Sequence, residues 1–189
     1  MAVSLRSWSA DALVCSGYKW LSGHGGVGLL VVGDELLECV PAIVGWKGTP
    51  HPFQFEPTTL ALAPGARRFE LSTIAYSSAA GLRTSIDLLA GIGYPALAEH
   101  AEALARELAV ATAPHGWIPY RDLDAPGASF HIVSLHHPTL AASAIQARLA
   151  EEHQIVVSSR GGGIRVSLHA YNDSSDIDAL VGAMGNAGR

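Results

Sequence analysis

The chain has 189 residues, 49% hydrophobic and 15% charged, with a formal net charge of -5 from 12 basic and 17 acidic residues. That composition supports a buried core and excludes a disordered chain. No run of Lys or Arg offers the basic stripe a nucleic-acid partner needs, and no stretch reaches the roughly 20 apolar residues of a membrane helix.

The chain begins without an apolar signal core. Cys15 and Cys39 lie in apolar surroundings with neither disulfide nor zinc spacing, so buried, reduced thiols and a cytoplasmic setting are expected. Ala12 to Cys15 and Val27 to Val32 are short apolar runs bounded by glycine, the signature of buried strands. From Gly33 to Ala66 prolines and glycines recur, which predicts a long irregular passage; passages of that length carry function or line an interface. Trp46 and His51 fall within it, where a substrate pocket could form. Ser77 to Leu89 has helical spacing and ends at Gly91-Ile92-Gly93. Pro95 then opens a second helix, and Ala96 to Ala113 is rich in strong helix formers. Ser129 to Leu135 alternates as a strand, and Leu140 to Glu152 is an amphipathic helix. Ile155 to Ser158 and Ile164 to His169 read as strands joined by Gly161-Gly162-Gly163, and Ser175 to Met184 closes as a helix. This order predicts a small antiparallel sheet covered by helices on one face.

Two motifs compete for attention near the start. Gly23-His24-Gly25-Gly26-Val27-Gly28 matches the spacing of a dinucleotide fingerprint. That fingerprint works at a helix N-terminus, whereas these glycines lead into an apolar strand. Lys19 follows a strand, with hydroxyls at Ser16 and Tyr18 before it and Trp20 after it. This fits an amine in a dry pocket, where desolvation lowers its pKa and leaves it nucleophilic; a surface lysine at a turn fits the same residues. His24, His131, His136, His137 and His169 form no metal-ligand spacing, so no metal is expected.

The segment Asp11-Ala12-Leu13-Val14-Cys15-Ser16-Gly17-Tyr18-Lys19-Trp20-Leu21, running on through Gly25-Gly26-Val27-Gly28, resembles the lysine segment of class V aminotransferases. The resemblance implies that Lys19 carries pyridoxal 5'-phosphate (PLP) as a Schiff base and that Ser16 and Tyr18 contact the phosphate. Arg67-Arg68-Phe69-Glu70-Leu71-Ser72-Thr73 resembles the family's RFExGT segment, with Ser72 where the family usually has Gly. There the threonine serves the neighbouring subunit's phosphate, so Thr73 and a homodimer are implied. Ile164-Arg165-Val166-Ser167-Leu168-His169-Ala170-Tyr171-Asn172, followed by Asp176-Ile177-Asp178, resembles the family's closing segment. It implies that Arg165 binds the carboxylate of a small amino-acid substrate, a task suited to a planar bidentate donor. Arg160, in the glycine loop, serves as a gate or a surface charge.

The fold implied is α/β: the end of a PLP fold type I large domain over residues 1–75, followed by an α+β carboxy-terminal small domain with a short antiparallel sheet over 76–189. The activity implied is aminotransferase, epimerase or lyase chemistry. Cysteine desulfurase chemistry is not expected, because the loop Ser158-Ser159-Arg160-Gly161-Gly162-Gly163 contains no Cys. The family's phosphate loop, stacking ring and pyridine-pairing aspartate have no counterpart in these residues, so a missing amino-terminal half is expected. A non-catalytic fragment acting as a binding or dimerisation module stays open beside the enzyme.

Overall fold

Where each apolar segment finds cover decides the architecture. The computed structural model describes residues 4–55 and 58–185, and the chain divides into two compact units, Met1–Ile92 and Gly93–Arg189. The division falls one helix later than the expected boundary after residue 75.

In the first unit a short helix, α1 (Leu5–Trp8), is capped by Ser4, whose hydroxyl accepts the Ser7 N–H at 3.3 Å. It leads into an antiparallel pair, β1 (Ala12–Ser16) and β2 (Gly28–Val32), in register from Ala12↔Val32 to Ser16↔Gly28. These strands were expected to be buried, and the structure corrects that: Val14 is 79% exposed, and Leu29, Leu30 and Val31 are exposed in succession. Among the described residues the pair forms a two-stranded sheet, so its two outer edges are unpaired. An apolar run reports a need for cover but not what provides it.

The passage that follows contains helix α2 (Asp34–Leu37) and three 3-10 turns, at Trp46–Gly48, Pro52–Gln54 and Gly65–Phe69. Two arginines of the last turn tie it together. Arg67 donates to the carbonyls of Thr49 and Pro50 at 3.1 and 2.9 Å. Arg68 donates to Leu37, Ala63 and Cys39. Cys39 is exposed and Cys15 half-buried, which corrects the expectation that both thiols are buried. Helix α3 (Tyr76–Ile92) ends the unit and buries Leu82 and Leu89.

The second unit is the expected α+β layer pair. Helices α4 (Tyr94–Thr112), α5 (Ala142–His153) and α6 (Ser174–Gly185) accompany a four-stranded sheet. Its strands are β3 (Ile118–Pro119), β4 (Ile132–His136), β5 (Ser158–Arg160) and β6 (Gly163–Ser167), all antiparallel, in the order β3-β4-β6-β5. Pro95 sits in the first turn of α4, where its missing N–H costs nothing. Val133, Leu135, Ile164 and Val166 point from the sheet into a core with Leu104, Leu108, Leu149, Ile177, Leu180 and Met184. Two strand expectations shift. β5 starts at Ser158 rather than ending there, and Val156 is 90% exposed. β3 has only two residues, too few for a periodic signal.

Candidate cofactor and substrate site

Ser16 closes β1, and the chain then turns tightly before β2. The Gly17 N–H donates to Val27 O at 3.0 Å, the Ser22 N–H to Lys19 O at 2.9 Å, and the Gly23 N–H to Gly17 O at 2.8 Å. These bonds fold residues 17–23 into a knot that presents Ser16, Tyr18 and Lys19 together at one end of the ribbon. The Lys19 ammonium lies 5.6 Å from the Tyr18 ring centroid, a cation–π distance. All three side chains are exposed. The dry pocket expected around the amine is therefore not formed by these residues, for the same reason that the ribbon lies open. The glycines 23 to 28 lead into β2 rather than a helix, so they lack the aligned N–H groups a pyrophosphate requires.

Thr73 belongs to the same unit and is exposed, three residues before α3. The preceding Ser72 accepts the Trp46 indole N–H at 3.1 Å. Trp46 packs against Phe53 and Phe55 at centroid distances of 5.6 and 5.5 Å, and the Lys47 ammonium lies 4.9 Å from the Trp46 ring and 5.0 Å from the Phe53 ring. His51 is exposed.

Arg165 lies in the second unit, at the middle of β6. It stands in a cross-strand row with Ser134 of β4 and Ser158 of β5, facing away from the Ile164 and Val166 side chains of the core. The side chain is half-buried, and its Nε is buried without a hydrogen-bond partner among the described residues. Burying an unpaired guanidinium donor is costly, so its position anticipates an acceptor. A cavity of about 450 Å³ adjoins it, lined also by Ser158, Ser167, Asn172 and Asp176.

The acids that follow in the sequence are engaged elsewhere. Asp176 accepts the Asn172 amide at 2.9 Å and the Asp173 N–H at 3.2 Å, and Asp173 accepts both donors of Ser175. The Ser175 hydroxyl bond holds the Asp173 carboxyl below its ordinary pKa. Asn172 also accepts the His169 N–H at 2.9 Å, while its carbonyl meets His100 Nε2 at 2.9 Å. Asn172 and Asp176 thus build the entrance to α6, a role that sequence reading did not assign them; the signal was an acidic residue four positions after an Asn at a helix start. Arg160 ends β5, exposed, beside the Gly161-Gly162 turn, whose residues have φ of +56° and +78°. Among the described residues, no group of three or more His, Cys, Asp or Glu could hold a metal, and no helix is long and apolar enough to cross a membrane.

The aminotransferase class-V family model matches residues 1–180. The chain belongs to this family. Cysteine desulfurase CsdA of Escherichia coli (strain K12) is 31% identical over 186 residues, 94% of the chain and 45% of CsdA. Kynureninase of Deinococcus radiodurans is 34% identical over 100 residues, 52% of the chain and 24% of that protein. Among solved structures, the apo cysteine desulfurase of Thermococcus onnurineus NA1 superposes with a TM-score of 0.85 at 24% identity, covering 99% of the chain and 49% of the neighbour. The cystine C-S lyase C-DES, in complex with its product cysteine persulfide, gives 0.83 at 26% identity, covering 97% and 48%.

The chain therefore spans about half the length of these structures and less than half of CsdA. Its fold is that of the corresponding half of a class V, PLP fold type I protein. PLP is the family's cofactor, and a mutant of C-DES carries glycine covalently linked to it. The exposed hydroxyls of Ser16 and Tyr18 and the exposed amine of Lys19 are chemically suited to that cofactor's phosphate and aldehyde. The expected exclusion of cysteine desulfurase chemistry conflicts with these matches, of which CsdA and the Thermococcus onnurineus protein are cysteine desulfurases.

Proposed function

We propose that this chain is the carboxy-terminal portion of a PLP-dependent enzyme that acts on a small amino acid. The observation that carries this reading is the buried Nε of Arg165, without a hydrogen-bond partner among the described residues, on a side chain that lines a cavity. A planar cation held in that state suits a carboxylate, which accepts two parallel N–H bonds from it. Ser16 and Tyr18 would donate their hydroxyls to the cofactor's phosphate, and Lys19 would hold the cofactor and move the proton at the substrate's α-carbon. Thr73 donates to the phosphate of a neighbouring subunit in a homodimer. Bound there, PLP would supply an electron sink for negative charge developing at the substrate's α-carbon.

Transamination, epimerisation and elimination share this first step. The reaction proposed runs without a protein thiol at the β5–β6 hairpin, because two glycines close that turn and no cysteine lies within it. A cytoplasmic setting is proposed on the two free cysteines. The second reading, a non-catalytic binding or dimerisation module, is favoured by the exposure of Lys19 and of the β1–β2 ribbon.

Titration of the purified protein with PLP decides between them. The enzyme reading expects a new absorbance band of the lysine-bound cofactor, absent in Lys19→Ala. A wild-type protein that develops no band leaves the module reading standing.

A further inference from the structure

The face of α3 formed by Gly81, Leu82 and Ser85 grips the Lys19 knot at separate points. Leu82 is 3% exposed. A Cβ placed on Gly17 would lie 2.9 Å from Leu82 Cδ2, and one on Gly23 would lie 2.8 Å from Leu82 Cδ1. The leucine thus fills a notch that exists only because both residues are glycine, and those glycines are bonded to each other across the Lys19 turn. Three residues further along α3, the Ser85 hydroxyl donates to Ser22 O at 3.0 Å. Ser22 has φ of +53°, an uncommon state for a non-glycine residue that surrounding structure must hold in place. Gly81 receives the His24 ring, whose Cδ2 would stand 2.6 Å from an added Cβ. Leu89, the other buried residue of α3, lies two turns beyond Leu82 and away from these contacts.

We infer that α3 is the positioning element for Lys19, with Leu82 and Ser85 setting, through Gly17, Ser22 and Gly23, the place from which the amine meets the cofactor. Neither residue touches substrate or cofactor in this scheme. A helix is a stiff carrier, so a small change at its contact face moves the whole knot and the amine with it. The inference rests on Lys19 being the cofactor lysine.

The test reads the amine directly rather than turnover. The protein is incubated with PLP across a pH series, quenched with borohydride, and the pyridoxyl-lysines are mapped by peptide mass spectrometry. Lys47, the chain's other lysine, is the internal reference. Leu82→Ala and Ser85→Ala are expected to slow Lys19 modification relative to Lys47 by on the order of tenfold and to displace its pH profile, as expected for a misplaced reacting group. Leu82→Met and Ser85→Thr should restore both. An unchanged Lys19-to-Lys47 ratio and profile in the alanine variants overturns the inference. If Leu82→Ala does not fold, Ser85→Ala, which removes a single hydroxyl, carries the test alone. A wild-type protein that shows no preference for Lys19 over Lys47 overturns the cofactor-lysine reading itself, which distinguishes the two failures.

Discussion

Trp46 and Ser72 are joined by an indole-to-hydroxyl hydrogen bond of 3.1 Å across 26 residues of sequence. This gives a local reason for Ser72 in a segment where glycine is usual for the family: the hydroxyl anchors the aromatic cluster of Trp46, Phe53 and Phe55 directly beside Thr73. Ser72→Gly removes the acceptor. The expected outcome is a change in the Trp46 emission, isolated by comparison with Trp46→Phe among the four tryptophans. A stability loss of at most about 1 kcal/mol should accompany it, since one exposed hydrogen bond is removed.

Arg165 should separate substrate binding from cofactor binding. Arg165→Lys keeps the charge but loses the planar fork. Affinity for the amino acid is expected to fall by about 2 kcal/mol, roughly thirtyfold in Kd, the scale of a lost charged hydrogen bond. PLP affinity, measured by the cofactor's absorbance, should stay at the wild-type value. Equal losses of both would mark the arginine as structural.

The core of the second unit offers a plain stability prediction. Leu108, on the inner face of α4, is fully buried in the cluster. Leu108→Ala leaves a cavity and should lower the unfolding free energy by about 2–5 kcal/mol. Chemical denaturation followed by circular dichroism measures it.

Asp173 predicts a dependence on pH. Its carboxylate accepts the Ser175 N–H and hydroxyl at the start of α6, and its folded-state pKa lies below the ordinary one. A depressed carboxyl stabilises the fold above its unfolded-state pKa, and this contribution is lost as pH falls through the folded-state value. Asp173→Asn should therefore melt below wild type at neutral pH, with the gap narrowing in strong acid. A gap independent of pH would assign the effect to geometry rather than charge.

Much of the architecture was legible in the sequence, for reasons that differ by element. Helix α4 announces itself by Pro95 and an Ala, Leu and Glu-rich run; β6 does so through apolar Ile164 and Val166 flanking Arg165. Lys19 and Arg165 stand inside contiguous motifs, so they could be named without coordinates. The Ser72 bond to Trp46, the staples from Arg67 and Arg68, and the seat of Leu82 between Gly17 and Gly23 join residues far apart in sequence. Composition and periodicity carry no signal for such pairings. The exposure of Val14 and Leu29 to Val31 was illegible for another reason: hydrophobicity records that a surface should be covered, and the cover is not supplied by two strands.

The β1–β2 ribbon sets how this chain behaves when handled alone. A five-residue antiparallel pair is marginal by itself in water, and its outer rims present backbone donors and acceptors to any extended segment that meets them. Greasy side chains such as Val14 and Leu30 make that encounter favourable as well as possible. Concentration therefore governs the shelf life of the isolated polypeptide, and dilute preparations should outlast dense ones.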